Sequence, residues 1–239
     1  MKTIYKRKEP RNLLQYRLQY RNEINTPMNE RSKAILKQAF EDMNCNGQTL
    51  KDEIRKALLE DQGYICCYCM REINEENSRI EHWQCQKSHP TLILSFDNML
   101  IACNGNHGNA PIKITCDVCK AERDITINPK KHGLCERIIN YEFRSGNISC
   151  SDEQYDDDIC ITLNLNCYDL QEQRKSTYTG FVKAFTKKHN NNWTKEILNR
   201  EFANLVSLDR RENAGRPKRL PPFYGVIIAF LQNEIQRRA

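Results

Sequence analysis

Cysteine spacing constrains this chain more than any other feature. Twelve cysteines occur in 239 residues, and seven of them gather between positions 63 and 128. Cys66 and Cys69 form a C-x-x-C pair, a spacing at which two thiolates bite one zinc ion from a tight turn. Tetrahedral zinc needs four donors, so a second pair must lie downstream. Two choices are open: Cys103 with Cys116 across the Asn/Gly-rich loop 104–109, or Cys116 with Cys119. If Cys116 is the last ligand, the next residue is Asp117, a carboxylate suited to magnesium. If Cys119 is last, the next is Lys120, which cannot ligate as an ammonium. The expected structural zinc set is Cys66, Cys69, Cys103 and Cys116, with Cys119 as the alternative and His107 as a loop residue.

Compartment decides whether cysteines pair with metal or with each other. The first eight residues, Met1 to Lys8, are charged and carry no apolar segment of a secretory leader. The longest apolar run, Phe223 to Leu231, is far too short to span a bilayer. The expectation is a cytoplasmic protein with reduced thiols and no membrane partner. The apolar fraction, 39%, suffices for a buried core. The net charge of +6 permits a nucleic-acid partner without requiring one. No glycine loop precedes a Lys-Ser or Lys-Thr pair, so the chain is not expected to hydrolyse a nucleotide itself.

Along the chain, residues 1–26 read as a basic, solvated arm holding Lys6, Arg7, Lys8, Arg11, Arg17 and Arg21, a candidate contact for phosphate or a partner. Thr26-Pro27 predicts a helix start, with Ala34, Ile35, Ala39, Phe40 and Met43 at helical period and Asn44 to Gly47 as its stop. Thr49 is placed to cap a second helix that Gly63 ends. A knuckle turn and a strand follow over 64–85, and a short helix is expected near Cys116. Residues 138–143 and 148 suggest a hairpin, 152–158 a solvated acidic loop and 161–165 another strand. Helices are expected over 169–187, 192–207 and 222–237, the last two separated by Pro217, Pro221 and Pro222.

Between the two cysteine pairs stands Ile80-Glu81-His82-Trp83. A neutral imidazole there can take a proton from water attacking a phosphodiester, and the neighbouring carboxylate can help hold a divalent ion. The ordered set Cys-x-x-Cys, Glu-His, Asn and Cys-Asp-x-x-Lys resembles the core of HNH (ββα-metal) endonucleases. The finer pattern is similar to the PtuB-type HNH family of Septu anti-phage systems and some retron operons. It comprises Tyr68-Cys69, Ile80-Glu81-His82, Asn98-Met99-Leu100, Cys103 to Asn106, Cys116-Asp117 with Lys120, Asn128-Pro129, and later Cys135-Glu136, Ile139, Tyr141, Leu163 to Asn166, Leu170 and Arg174. The likeness spans roughly 1–185.

The resemblance implies an α+β, mainly helical fold: a ββα-metal core with a structural zinc, surrounded by N- and C-terminal helices. The expected divisions are 1–62 (arm and helical scaffold), 63–130 (nuclease core) and 131–239 (helical, packed on the core and contacting a partner). It implies His82 as general base, and Asn98 holding the hairpin loop and orienting His82. Asp117 with Glu81 would bind catalytic Mg²⁺ or Mn²⁺, and Lys120 would contact a phosphate or cap the helix. It implies a nucleic-acid substrate and a PtuA-type ABC/SMC-like ATPase as partner, docking on the C-terminal helices, including Ile227 to Leu231, or on the N-terminal arm. Two positions depart from the family pattern: Cys85 stands where relatives have proline and becomes a minor rival zinc donor, and Ala121 stands where glycine is common. Candidate basic contacts are Lys130-Lys131, Lys187-Lys188, Arg210-Arg211 and Arg216 with Lys218-Arg219. The competing readings are a non-catalytic zinc-binding module and a stand-alone restriction-type nuclease.

Overall fold

The computed structural model describes residues 1–43, 50–210 and 219–238. The expected stop at Asn44 to Gly47, the Thr49 cap, Pro217, and the basic residues Arg211, Arg216 and Lys218 lie outside them. The fold is mainly helical with two small antiparallel sheets. In chain order the elements are α1 (Arg11–Leu18), α2 (Arg21–Asn25), α3 (Glu30–Glu41), α4 (Leu50–Gln62), β1 (Ser78–His82), β2 (Met99–Cys103) and α5 (Cys116–Lys120). Next come α6 (Leu134–Ile138), β3 (Ile139–Glu142), β4 (Asn147–Cys150), α7 (Glu153–Asp157), a π-helical turn (Asp158–Thr162), α8 (Tyr168–Lys188), α9 (Lys195–Arg210) and α10 (Tyr224–Gln236).

Strands β1 and β2 pair with Ser78 opposite Cys103 and His82 opposite Met99. Every residue of β2 is buried. Its free edge is satisfied by side chain and loop: Gln62 donates to the Ile101 carbonyl (2.7 Å) and accepts from the Ile101 N–H (2.8 Å), while the Cys67 N–H reaches the same carbonyl (3.0 Å). The amide thus mimics a third strand, which ties α4 to the hairpin. The expected second hairpin is present as β3 and β4, with Ile139 opposite Cys150.

Several expectations need correction. Helix α3 begins at Glu30, not at Pro27, because Asn29 caps it by accepting from the Ser32 N–H (2.9 Å). Thr26 instead closes α2, its hydroxyl bonding the Asn22 carbonyl. The basic arm is not a free segment. Residues 11–18 and 21–25 are helical, and Met1, Lys2, Thr3 and Ile4 are buried. Ile4 N–H bonds the Pro129 carbonyl, Thr3 is held by Glu136, and Lys2 forms a buried ion pair with Asp209 (2.8 Å). The acidic segment 152–158 is structural: Asp152 caps α7, and buried Asp158 accepts from the N–H groups of Thr126 and Ile127. The strand expected at 161–165 is replaced by the π-helical turn and an irregular exit.

The apolar run Ile227 to Leu231 does not form a docking face. Ile227, Ile228, Phe230 and Leu231 are buried, packed with Phe185 and Leu198 of α8 and α9 and with Tyr224 at the start of α10. Among the described residues, no helix is long and apolar enough to cross a membrane.

Arg174 joins this helical layer to the centre. It is buried, and its guanidinium donates to the carbonyls of Gly146 and Leu165 and to Asn166 Oδ1. Hydrogen bonds from a charged donor in a dry site are among the costlier ones to lose. Arg174→Met should destabilise the protein by about 3 kcal/mol, read as a lower urea midpoint at unchanged slope. An unmoved midpoint would show that the two carbonyls find other donors.

Candidate metal centre and adjoining cleft

The knuckle is a turn in which the Met70 N–H returns to the Cys66 carbonyl (3.1 Å) and the Cys66 N–H to the Arg71 carbonyl (2.9 Å). Met70 adopts φ +63°, an unusual conformation for a bulky side chain. It is held there by the Phe223 N–H on its carbonyl and by packing against Leu220, Tyr224 and Ile228. Cys103 ends β2, and Cys116 begins α5 with its N–H on the Leu163 carbonyl.

These elements bring Cys66, Cys69, Cys103 and Cys116 together. All four are buried, with sulfurs within 4.8 Å of one another. The Cys66–Cys116 and Cys69–Cys103 sulfur pairs lie 3.8 Å apart. Four thiolates about 2.3 Å from a tetrahedral zinc have sulfurs separated by about 3.8 Å, so the cluster matches the size of such a site. Its electrostatics also call for a cation. Although burial opposes it, the Cys66 thiol is drawn well below its ordinary value by the sulfhydryls of Cys103 and Cys116. Cys116 is pushed well up by burial and by Cys103, and Cys69 is pushed up through its contact with Cys103. One thiolate is favoured by its neighbours' protons and forbids more, a conflict that a divalent ion such as zinc removes.

Of the two second pairs read from spacing, the structure assembles Cys103 with Cys116. Cys119 lies a turn along α5, partly exposed, with its sulfur 3.9 Å from the Ile161 carbonyl. Cys85 is no rival either; its N–H bonds Asp124 and its thiol faces Ser88.

The strands β1 and β2 and helix α5 lie against this cluster, and beside them opens a cleft of about 840 Å³. Glu81, His82 and Asp117 all line it. Glu81 is 3% exposed; its Oε1 accepts from the Tyr68 hydroxyl (2.7 Å) and the Lys120 ammonium (2.8 Å). Burial, and then the hydrogen-bonding contact and charge of Asp117, hold the Glu81 carboxyl well above the usual carboxylate range. Two adjoining carboxylates need a proton or a cation between them, and that donor set fits a hard divalent ion. Arg79 lies 3.3 Å from Asp117 Oδ2.

His82 is 5% exposed, and burial lowers its pKa to about 4, so it is neutral near pH 7. Its Nε2 lies 2.9 Å from the Ile93 carbonyl, which can only accept, so Nε2 carries the proton. Nδ1 is left with the lone pair, and the Gln86 amide donates to it at 3.0 Å. The Phe40 ring meets the imidazole edge-on at 4.8 Å.

Asn98 bonds to the residues that follow His82. Its side chain accepts from the Gln84 N–H and donates to the Gln84 carbonyl (both 2.9 Å), while its carbonyl takes the Trp83 N–H. It fixes the 83–98 loop that supplies the Ile93 carbonyl to His82. Lys120 requires a correction: at 1% exposure its ammonium is spent on Glu81 and on the His82 carbonyl (2.8 Å). It does not cap α5, whose last carbonyls are met by Arg123. Tyr68, Gln86, Phe40 and Arg79 were missed as site residues: Phe40 and Arg79 meet the site across distant segments, and Gln86, four residues after His82, reaches it only through the local fold of the loop. In Tyr68 the one available signal was its place inside the cysteine pair. No known family model matches the chain, and no curated protein does.

Gly105 sits in the neck between the last two thiols, at φ +57°. A Cβ there would lie 2.3 Å from the Thr115 carbonyl oxygen. Gly108, also at positive φ, faces open space. Gly105→Ala should therefore lose bound zinc and melt several degrees lower than Gly108→Ala, which bears only a local conformational cost of about 1–2 kcal/mol. Metal content and thermal melts check this. In the same assay Cys116→Ser should lose the metal and Cys119→Ser keep it.

Proposed function

We propose that this chain is a metal-dependent HNH-type endonuclease that hydrolyses phosphodiester bonds of nucleic acid. The observation that carries this reading is convergence: a neutral imidazole whose Nδ1 lone pair is met by the Gln86 amide, Glu81 and Asp117 line one cleft, on a hairpin and helix that meet at four thiols. A pure zinc-binding module has no need of a buried carboxylate, Glu81, in contact with a second one and beside a desolvated histidine, both costly to fold.

Within this reading the chain's own groups divide the work. The Ile93 carbonyl selects the His82 tautomer, so that Nδ1 accepts the proton of the attacking water. At rest that position is taken by the Gln86 amide, which must give way to the water. Tyr68 and Lys120 hold Oε1 of Glu81, whose carboxyl group also contacts Asp117. Mg²⁺ or Mn²⁺ held by Glu81 and Asp117 would supply charge stabilisation at the scissile phosphate and the leaving oxygen. The thiol-bound zinc would serve structure alone, since all four positions are filled by protein. By its resemblance to PtuB-type proteins, the chain would act beside an ABC/SMC-like ATPase in anti-phage defence, consistent with the lack of a phosphate-cradling loop of its own.

His82→Ala should cut phosphodiester cleavage by about 10²–10⁴-fold while zinc content and melting behaviour stay close to the parent. The assay pairs DNA and RNA substrates with Mg²⁺ and Mn²⁺, with and without the ATPase. Equal cleavage by parent and variant, or none by the parent under any of these conditions, would favour the binding-module reading instead.

A further inference from the structure

The cleft has a second wall that the chemistry at His82 does not use. Helix α3 faces β1 across it and contributes Glu30, Lys33, Ala34 and Lys37 to the lining. The helix cannot drift, because Leu36, Ala39 and Phe40 are buried and the Phe40 ring rests edge-on against His82. Lys33 and Lys37 lie one turn apart, about 6 Å along the helix axis at ~1.5 Å per residue. They mark a line along the wall leading away from the imidazole. Across the cleft stand Arg79 and Lys87.

These cations are held loosely. Lys33 pairs with Glu30, whose carboxylate is 90% exposed, and Lys87 pairs with Glu122, both more than 70% exposed. Exposed pairs of this kind are weak and exchange readily with a competing anion. The rim is therefore basic and the floor acidic, the arrangement that draws in a phosphate chain and leaves a place for a cation at its centre.

We infer that α3 and β1 form a phosphate track for a single, unpaired nucleic-acid strand, with Lys33 and Lys37 holding phosphates beside the scissile one. This rests on the nuclease reading of the same cleft. One feature selects a single strand. The reacting groups lie on the floor, with His82 and Glu81 at 5% and 3% exposure. A strand can bend down between the walls, whereas a stiff duplex carries its phosphates on a convex surface. Among the described residues the cleft lining includes no Phe, Tyr or Trp, so it offers bases no stacking platform. The track reads backbone and not bases, and so tolerates sequence.

The test is binding of the His82→Ala protein to a short fluorescein-labelled oligonucleotide, single-stranded or annealed to its complement, in DNA and RNA versions. The single strand should bind more tightly than the duplex, and the two versions report which sugar is accepted. Adding Lys33→Ala and Lys37→Ala should weaken single-strand binding about tenfold or more. It should also lower the slope of log Kd against log salt by about 1.4, two contacts at ~0.7 each. Lys183→Ala, on α8 and away from the cleft, should change neither. Tighter binding of the duplex, no binding of either form, or an unaltered slope in the double variant would overturn the track. The nuclease reading stands or falls separately. If His82-dependent cleavage persists at parental KM without Lys33 and Lys37, the track is wrong and the nuclease is not. If the parent never cleaves but the lysine-dependent salt slope is present, the reverse holds.

Discussion

Four sulfurs converging on one point organise the rest of this molecule. They come from three places: a turn after α4, the end of β2 and the first residue of α5. None of these pieces is large enough to stand alone; a two-stranded hairpin is marginal in water and a five-residue helix more so. A shared ion at this cluster would replace the extensive apolar contact that such short elements cannot provide. The position of Asp117 follows directly, since it is the residue after Cys116. The position of His82 follows through the pairing of β1 with β2.

Around that anchor the protein buries and pairs several charged and polar groups. Lys120 reaches from the helix to Glu81 and to the backbone of His82, and Tyr68 reaches Glu81 from the knuckle. Each of these contacts ties a sulfur-bearing element, the knuckle or α5, to β1, which has no thiol of its own. The same side chains therefore rigidify the frame and present one carboxylate oxygen in a defined direction. Rigid support of this kind is what a reacting constellation requires.

Much of the centre was legible before any coordinates. Chemistry adjacent to Cys116 favoured Cys103 as its partner over Cys119, and the four buried sulfurs agree. The helical period of residues 34–43, the two hairpins and the three long C-terminal helices could also be read. What escaped reading depends on contacts across long separations. Lys120 looks like a surface lysine until Glu81 is seen 2.8 Å away. Met1 to Ile4 look like part of a charged arm until Pro129 and Glu136 receive them. Asp158 looks solvated within an acidic run, yet it serves as acceptor for the backbone at 126–127. Local composition cannot announce a partner that lies more than 30 residues distant, as each of these does.

The loop between Cys103 and Cys116 carries a consequence of its own. Both ends are pinned by sulfur, and the Thr115 N–H closes the neck on the Gly105 carbonyl at 2.9 Å. Beyond the neck the chain is open to solvent, with Ile112 at 80% exposure. Lengthening such a closed span costs little, about 0.6 kcal/mol for each doubling. Evolution, or an engineer, can therefore hang new peptide there, even a folded insert, without disturbing the hairpin or helix on either side.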